Sequence, residues 1–340
     1  MGKRIVFKIT DYIERDLFWE KEECTKLGID FEYYQLRTAP PAEIIRHVRD
    51  ADIILVNMAK FTSEVIDALE NVRVIIRHGI GYDNVDVAAA TRNGIIFANE
   101  ATASSEDVAE QAIMLIFETY RKKNIQNRIL ENWVSTGKWN SGPIYPLFRM
   151  AGKTLGIIGC GNIGSKVLKK MSSMSMNILV CDPYLTEERL SELGITHTPL
   201  EELLRISDIV TIHVPVTDET RGMINTGTLS FMKDTAVIVN TSRGPVIKTD
   251  DLIAALKNGT IAGAGLDVYD PEPPPVKSEL FSLDNAVLSP HIAWYSEEGG
   301  WDIRYMIMDD VKAFLRGEPP RYVINPEIFS SPRLRMKVKC

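Results

Sequence analysis

The chain has few cysteines, no long apolar run and no excess of positive charge. Its four cysteines among 340 residues, Cys24, Cys160, Cys181 and Cys340, follow neither a disulfide framework nor a paired metal-ligand spacing, which predicts a reducing compartment. No apolar stretch approaches the ~18 residues of a membrane span. The net charge of −7 argues against nucleic acid as the main partner. Since no signal-peptide pattern opens the chain, we expect a cytoplasmic protein without a membrane partner.

The most informative stretch of the chain runs over residues 153–182. An apolar strand, Thr154–Ile158, leads into a glycine-rich turn, and an amphipathic segment, Ser165–Met174, follows. A second apolar strand, Asn177–Cys181, ends on Asp182. This strand–turn–helix–strand unit, with an acid after the second strand, is typical of a dinucleotide site.

Each glycine of the turn Gly159-x-Gly161-x-x-Gly164 has a physical role in such a site. Gly159 permits the tight turn, Gly161 has no Cβ to keep a pyrophosphate off the backbone, and Gly164 lets the helix pack close to the strand. The N-terminal end of the helix offers N–H groups and a positive dipole to the phosphates. Asp182 is expected to accept hydrogen bonds from the adenosine ribose. The alternative is an ordinary strand-to-helix turn.

The first hundred residues predict a smaller α/β domain. Short apolar strands alternate with segments of helical periodicity, which indicates a parallel, doubly wound sheet. Within it, Gly79-Ile80-Gly81 follows a strand end, where consecutive N–H groups can bind a carboxylate. The alternative is a plain turn in which Asp83 or Asn84 caps the next helix. A long helix is predicted over Ser105–Lys122, followed by a loop over Trp133–Pro146.

The second half continues the alternation of strand and helix and places three reactive residue types after strand ends. Arg243, Glu272 and His291 each follow a predicted strand, at the sheet edge where Gly159 also opens. Arginine binds a carboxylate bidentately, histidine transfers a proton near neutral pH, and a carboxylate orients the imidazole. Together they match hydride transfer at a carbonyl beside a carboxylate. Taken singly, each can be a surface or structural residue.

Five motifs in order resemble the D-isomer-specific 2-hydroxyacid dehydrogenase family. They are Gly-Ile-Gly-Tyr-Asp-Asn-Val-Asp (79–86), Gly-Cys-Gly-Asn-Ile-Gly (159–164), Asn-Thr-Ser-Arg-Gly (240–244), Leu-Asp-Val-Tyr-Asp-Pro-Glu-Pro (266–273) and Ser-Pro-His-Ile-Ala (289–293). The resemblance implies a discontinuous flavodoxin-like substrate domain, residues 1–100 with 295–332, and a Rossmann NAD domain, residues 101–294. It also implies homodimers formed through the cofactor domains. We expect the basic tail, residues 333–340, to be solvated.

The resemblance also implies residue roles. Arg243 would bind the substrate carboxylate, His291 would be the acid/base and Glu272 its partner. Substrate contacts are implied for Gly79, Ile80, Gly81, Arg243 and Trp294. Besides Gly159, Gly161, Gly164 and Asp182, cofactor contacts are implied for Ser105, Asn162, Ile163, Pro215, Thr220, Thr241 and Asp267, the last near the nicotinamide amide. No metal ligand is expected.

Two features refine the resemblance. Trp294 lies three residues after His291. A tryptophan at this place resembles the C-terminal binding protein branch of the family, which includes transcriptional corepressors. Asn99-Glu-Ala-Thr102 departs from the usual Asn-Val-Pro-Gly, which puts the local cofactor-facing geometry near Ser105 in doubt.

We therefore predict an NAD-dependent oxidoreductase that interconverts a 2-oxoacid and a D-2-hydroxyacid. One alternative is an NAD(H)-sensing, corepressor-like binding protein whose turnover is incidental. Another is a related reductase that uses NADP.

Overall fold

The structure, a computed structural model, describes residues 4–338, which form two compact units. One unit comprises the described residues up to Ser104 together with those from Ser296 onward, and the other runs from Ser105 to Tyr295. Each unit contains one parallel β-sheet with helices on both faces. Among the described residues, no helix combines the length and apolar content needed to cross a membrane.

The first unit has a five-stranded sheet. Its strands are β1 (Val6–Ile9), β2 (Asp30–Tyr33), β3 (Ile53–Val56), β4 (Val74–Arg77) and β5 (Ile96–Asn99). Its helices are α1 (Phe18–Leu27), α2 (Pro41–Val48), α3 (Ser63–Asp67), α4 (Val87–Arg92) and, after residue 296, α12 (Glu297–Arg316). The strand order is β2-β1-β3-β4-β5, all parallel, which is the flavodoxin-like doubly wound arrangement.

The residues of β3 show why this sheet forms. All four are apolar and buried, as expected of a parallel strand that is covered on both faces. Because successive side chains point to opposite faces, Ile53 and Leu55 pack in one core layer, whereas Ile54 and Val56 pack in the other. The helix α12 contributes Ile307 and other apolar residues to the first layer.

The second unit has a six-stranded sheet. Its strands are β6 (Thr154–Ile158), β7 (Asn177–Cys181), β8 (Ile209–Ile212), β9 (Val237–Asn240), β10 (Gly263–Leu266) and β11 (Ala286–Leu288). Its helices are α5 (Ser105–Tyr120), α6 (Lys123–Thr136), α7 (Asn162–Met171), α8 (Glu187–Leu193), α9 (Leu200–Ile206), α10 (Thr226–Leu229) and α11 (Thr249–Asn258). The strand order is β11-β10-β9-β8-β6-β7, and all neighbouring strands are parallel. At the outer edge of β7, His197 pairs with Val180 through an isolated β-bridge.

The predicted fold class, two doubly wound parallel sheets with a Rossmann-type cofactor domain, is confirmed. The glycine turn, for example, lies between β6 and α7, and both flanking strands have the predicted bounds. The point between β6 and β8, where the strand order reverses direction, is the usual ligand crevice of such sheets.

One helix was missing from the sequence prediction. The predicted loop over Trp133–Pro146 begins only after Thr136, because α6 continues to that residue. The helix starts after Lys122, whose φ of 54° breaks the backbone from α5. Leu130, Trp133 and Val134 have helical spacing, but no residue of α6 is buried, and the glycine and proline residues after Thr136 favoured a loop.

The expectation of a solvated tail was wrong for its described part. The Nη1 of Arg335 donates to the carbonyl oxygen of Leu69 at 2.9 Å, and its N–H donates to that of Gly94 at 2.9 Å. Met336 is 3% exposed in the core of the first unit. The charged residues of the tail therefore serve as hydrogen-bond donors to strand and helix ends, while the apolar residue between them is buried. Cys340 lies outside the described residues.

Candidate active site

The glycine turn has the geometry that the sequence predicted for a dinucleotide. Gly159 has a φ of +85°, in the left-handed region that favours glycine, and its N–H donates to the carbonyl oxygen of Cys181 at 2.9 Å. A Cβ on Gly164 would lie 2.1 Å from the carbonyl oxygen of Gly159, so helix and strand pack too closely for a side chain. A Cβ on Gly161 would meet no atom within 4 Å. The turn is therefore tight on the protein side and open at the start of α7.

Asp182 holds the same turn from the end of β7. One oxygen of its carboxylate accepts a hydrogen bond from the N–H of Cys160 at 2.8 Å, and the other accepts from the N–H of Tyr184 at 3.1 Å. Each oxygen keeps further acceptor capacity. The carboxylate thus has a fixed position beside the turn, and its contact with the ribose stays a prediction.

The remaining predicted cofactor residues lie at several strand and helix ends. The hydroxyl of Thr220 donates to the carbonyl oxygen of Pro215 at 2.6 Å, which closes the turn after β8. Thr241, after β9, is 6% exposed, and its hydroxyl has no hydrogen-bond partner. Asn162 and Ile163 start α7, and Ser105, fully buried, starts α5.

These observations fit an NAD molecule. The open space at Gly161 faces the N-terminal end of α7, where a pyrophosphate would be favoured. The unpaired hydroxyl of Thr241 is a buried polar group that a ligand would satisfy. When bound, NADH supplies a hydride.

Arg243 is fixed at the end of β9 by a tight turn. The Oδ1 of Asn240, which is 1% exposed, accepts from the N–H of Ser242 at 2.9 Å, and its Nδ2 donates to the carbonyl oxygen of Arg243 at 2.9 Å. The next residue, Gly244, admits no side chain, because a Cβ would lie 1.8 Å from the carbonyl oxygen of Tyr269. The half-buried Arg243 is therefore held by its backbone, and the Nη1 of its guanidinium donates to the carbonyl oxygen of Ser242 at 2.8 Å.

His291 and Glu272 form a pair at this edge, after β11 and β10. The Nδ1 of His291 is hydrogen-bonded to the Oε1 of Glu272, with 32% and 35% of the two side chains exposed. Burial raises the pKa of Glu272, but the hydrogen bond and charge of His291 and the charge of Arg243 outweigh it and leave that pKa below its ordinary value. The glutamate is thus ionised at neutral pH, and since a carboxylate can only accept a hydrogen bond, the Nδ1 of His291 is the donor and the ring is held in one orientation.

The loop that carries His291 is held by a buried carboxylate. Asp267, fully buried, accepts hydrogen bonds from the N–H groups of Ile292 at 3.0 Å and Ala293 at 2.9 Å. His291 itself has a φ of 54°, a strained conformation for a non-glycine residue that its surroundings must impose. The Nε1 of Trp294 donates to the carbonyl oxygen of His291 at 3.1 Å. The predicted contact of Asp267 with the nicotinamide amide stays a prediction.

The predicted substrate turn belongs to the other unit, at the end of β4. Gly79 has a φ of +117°, and the Nδ2 of Asn99 donates to the carbonyl oxygen of Ile80 at 2.6 Å. This hydrogen bond uses a carbonyl oxygen of the turn. It therefore does not compete with anion binding, because an anion is bound by N–H donors.

Sequence reasoning missed two residues that position the site. Asn240 holds Arg243 as described above. The hydroxyl of Tyr269 donates to the carbonyl oxygen of Ser289 at 2.7 Å and so braces the loop before His291. The signal for Asn240 was present, since an asparagine at a strand end favours this kind of turn. Tyr269 lies in the motif at 266–273, but its residue type alone predicted no role for it. Within residues 4–338, no group of three potential ligands is arranged to hold a metal ion.

The chain is similar to several known dehydrogenases. The family model described as "D-isomer specific 2-hydroxyacid dehydrogenase, NAD binding domain" matches residues 113–293. A glyoxylate reductase from Korarchaeum cryptofilum is 37% identical over 96% of this chain and 94% of its own length. A D-3-phosphoglycerate dehydrogenase from Archaeoglobus fulgidus is 37% identical over 83% of this chain, which spans only 53% of that protein. The crystal structure of D-lactate dehydrogenase from Aquifex aeolicus with NAD and lactic acid has a TM-score of 0.80 and 29% identity, and the match covers 92% of this chain and 96% of that one.

Proposed function

Because the chain belongs to the D-isomer-specific 2-hydroxyacid dehydrogenase family, we propose that this NAD-dependent dehydrogenase reduces a small 2-oxoacid, with glyoxylate as the first candidate. The similar glyoxylate reductases support this substrate class, since several are 34–38% identical over most of their length. Glyoxylate is the smallest 2-oxoacid, and the indole of Trp294, fixed beside His291, is a suitable wall for a small pocket.

The proposed roles follow from the chemistry of each side chain. Arg243 pairs with the substrate carboxylate and polarises the adjacent carbonyl. His291 donates a proton to the carbonyl oxygen as the hydride arrives at carbon, and it takes that proton back in the oxidation direction. Glu272 orients the imidazole and stabilises its charge. The N–H groups of Ile80 and Gly81 are proposed to bind the substrate as well, on the family resemblance.

The observation that carries this proposal is the hydrogen bond between Glu272 and His291 at the strand ends where Arg243 also lies. An imidazole held by an ionised carboxylate has a fixed orientation and can transfer a proton, and an arginine charge near enough to lower the pKa of that carboxyl lies in the same group. A proton donor with its orienting acid and a carboxylate-binding arginine are the side chains that reduction of a 2-oxoacid requires.

The cofactor preference is proposed to follow from Asp182. Its carboxylate, fixed by Cys160, would repel the 2′-phosphate of NADP, and two like charges at close range in a partly desolvated site favour NAD by about a hundredfold. Comparing kcat/KM for NADH and NADPH tests this expectation. Equal values would remove Asp182 from the ribose site and would support the NADP alternative.

The substrate proposal is tested with a panel of 2-oxoacids and NADH, followed by the loss of NADH absorbance. We expect brisk turnover of glyoxylate or a close analogue. Tight NADH binding with no turnover of any acid would support the corepressor-like alternative instead. None of the relatives named above is a corepressor, so the similarity to the C-terminal binding protein branch has no support beyond the residues near Trp294.

We also propose that the protein forms homodimers through the unit that carries the glycine turn. The helix α6 buries none of its residues, yet Leu130, Trp133 and Val134 are all exposed, the last at 79%. An apolar helix face of this kind is typical of an interface. Sedimentation of the wild type and of Trp133→Ala tests it.

The cytoplasmic location stays a prediction, in keeping with the free thiols of Cys24, Cys160 and Cys181.

A further inference from the structure

Glu100, at the departure from the family pattern after β5, carries a buried carboxyl group. It is 1% exposed, and neither oxygen of its side chain has a hydrogen-bond partner. A carboxylate in such a place would lose its hydration with nothing in return, which is far more costly than burying the neutral acid. The geometry alone therefore favours a protonated Glu100.

The groups around Glu100 act in the same direction. Asp310 of α12 is 4% exposed, with one oxygen accepting from the N–H of Arg321 at 3.0 Å and the other without a partner. Burial and the charge of Asp310 raise the pKa of Glu100 to about 8, with a smaller contribution from Asp309, while Arg321 opposes the shift. Burial also raises the pKa of Asp310 to about 6, against the N–H and charge of Arg321.

Glu100 and its neighbour are attached to the predicted substrate turn. The N–H of Glu100 donates to the carbonyl oxygen of Gly79 at 3.3 Å, and the side chain of Asn99 donates to that of Ile80 at 2.6 Å. These two bonds fix consecutive peptide planes of the turn and so set the direction of its N–H groups. Immediately before the turn, the Nε2 of His78 is hydrogen-bonded to the Oε1 of Glu14 at 2.7 Å.

We propose that Glu100 is a positioning residue for the substrate turn, and that it holds Gly79 in place only as a neutral acid. Once ionised, the carboxylate must move toward water, and the main chain of Glu100 moves with it. The bond to Gly79 is then lost, and the turn no longer presents its N–H groups in one direction. This inference rests on the proposed substrate role of the turn.

The expected size follows from the fraction of molecules that stay neutral. One pH unit above a pKa of about 8, roughly a tenth of the Glu100 side chains are protonated. Because an apparent dissociation constant rises as the competent fraction falls, KM for the 2-oxoacid should rise about tenfold by pH 9. The value of kcat should change little by this route, since saturating substrate restores the competent form.

The test compares full-length wild type with Glu100→Gln, which keeps the shape of the neutral acid and cannot ionise. Glu64→Gln, at an exposed position of α3, is the matched control. KM for glyoxylate with saturating NADH is measured from pH 6.5 to 9. The ratio of wild-type KM to that of Glu100→Gln should be near one at pH 6.5 and about ten at pH 9. Any pH dependence of the chemical steps is common to both proteins and cancels in this ratio, and Glu64→Gln should follow the wild type.

Hydrogen-exchange protection of the N–H of Glu100, which donates to Gly79, gives a second readout that does not depend on turnover. After correction for intrinsic rates, this protection should fall about 30-fold between pH 6.5 and 9 in the wild type, because the ionised fraction of Glu100 rises from about 3% to about 90%, and it should stay constant in Glu100→Gln. Parallel KM curves, or equal losses of protection, would overturn the inference. If no 2-oxoacid is reduced, the proposed function fails, and hydrogen-exchange protection alone then tests the positioning role of Glu100. If Glu100→Gln does not fold, constant protection in the wild type up to pH 9 would still overturn it.

Discussion

Two glycines of the same turn should respond in opposite ways to the same substitution. Adding a methyl group to Gly161 meets no atom within 4 Å, so Gly161→Ala should fold with a free energy of unfolding within about 1 kcal/mol of the wild type. The new Cβ would instead occupy the space proposed for the pyrophosphate. Losing one hydrogen bond to a charged group costs about 1.5–3 kcal/mol, so the Kd for NADH should rise roughly 10- to 150-fold.

Gly164→Ala should have the opposite effect. Its Cβ would lie 2.1 Å from the backbone oxygen of Gly159, so α7 has to move away from β6. Overpacking of this kind costs about 1–3 kcal/mol, and more where backbone opposes it, so the melting temperature should fall by roughly 5 °C or more. Gly300→Ala is the control: it lies in α12 of the other unit, its Cβ would meet no atom within 4 Å, and it should stabilise the helix by about 1 kcal/mol without changing NADH affinity.

The assays are fluorescence titration with NADH and thermal unfolding of each variant. The reasoning predicts weak binding with normal stability for Gly161→Ala. If that variant binds NADH as tightly as the wild type, the pyrophosphate does not lie against Gly161. If Gly164→Ala is as stable as Gly300→Ala, the close contact of α7 with Gly159 is not present in solution.

Three further outcomes are expected. Arg243→Lys keeps the charge but loses the bidentate guanidinium. In steady-state kinetics KM for the 2-oxoacid should rise and kcat should fall, with a loss of about 3 kcal/mol in the transition-state stabilisation calculated from kcat/KM. Unchanged kinetics in a folded variant would show that Arg243 is an ordinary surface residue. Glu272→Gln removes the charged partner of the His291 ring, so kcat for reduction should fall roughly 10- to 150-fold, the loss expected for one hydrogen bond to a charged group, and an unchanged kcat in steady-state kinetics would show that another group orients His291. Gly94 has a φ of +74°, and a Cβ at this position would lie 1.8 Å from the backbone oxygen of Arg333. Gly94→Ala should therefore lower the free energy of unfolding in denaturant by about 2 kcal/mol or more. An unchanged unfolding midpoint would mean that the tail does not pack against Gly94.

The parts of the fold that were predictable are those whose sequence pattern is local. The glycine turn, its two strands and the acid after them lie within thirty residues, and their physical roles can be read from residue type alone. The strand ends that carry Arg243 and His291 were predictable for a similar reason, since parallel strands bring all their carboxyl ends to one edge.

The parts that could not be predicted depend on what distant residues provide. The helix α6 has an apolar face that the described residues leave exposed, so the loop signals after Thr136 outweighed its helical spacing in the prediction. The tail looked solvated because Arg335 is charged, but its guanidinium finds the carbonyl oxygens of Leu69 and Val72, which no local rule could supply. Glu100 was noted only as part of a departure from the family pattern, and only its burial beside Asp310 gives it a distinct chemistry.

The most direct test of the central claim is a single-turnover measurement with His291→Ala. NADH is bound to the variant, glyoxylate is added, and the loss of NADH absorbance is followed at neutral pH. We expect NADH affinity close to that of the wild type and a rate of reduction lower by about 10²–10⁴, because only the proton donor has been removed. A rate equal to that of the wild type, with NADH bound normally, would contradict the assignment of His291 as the acid that completes hydride transfer.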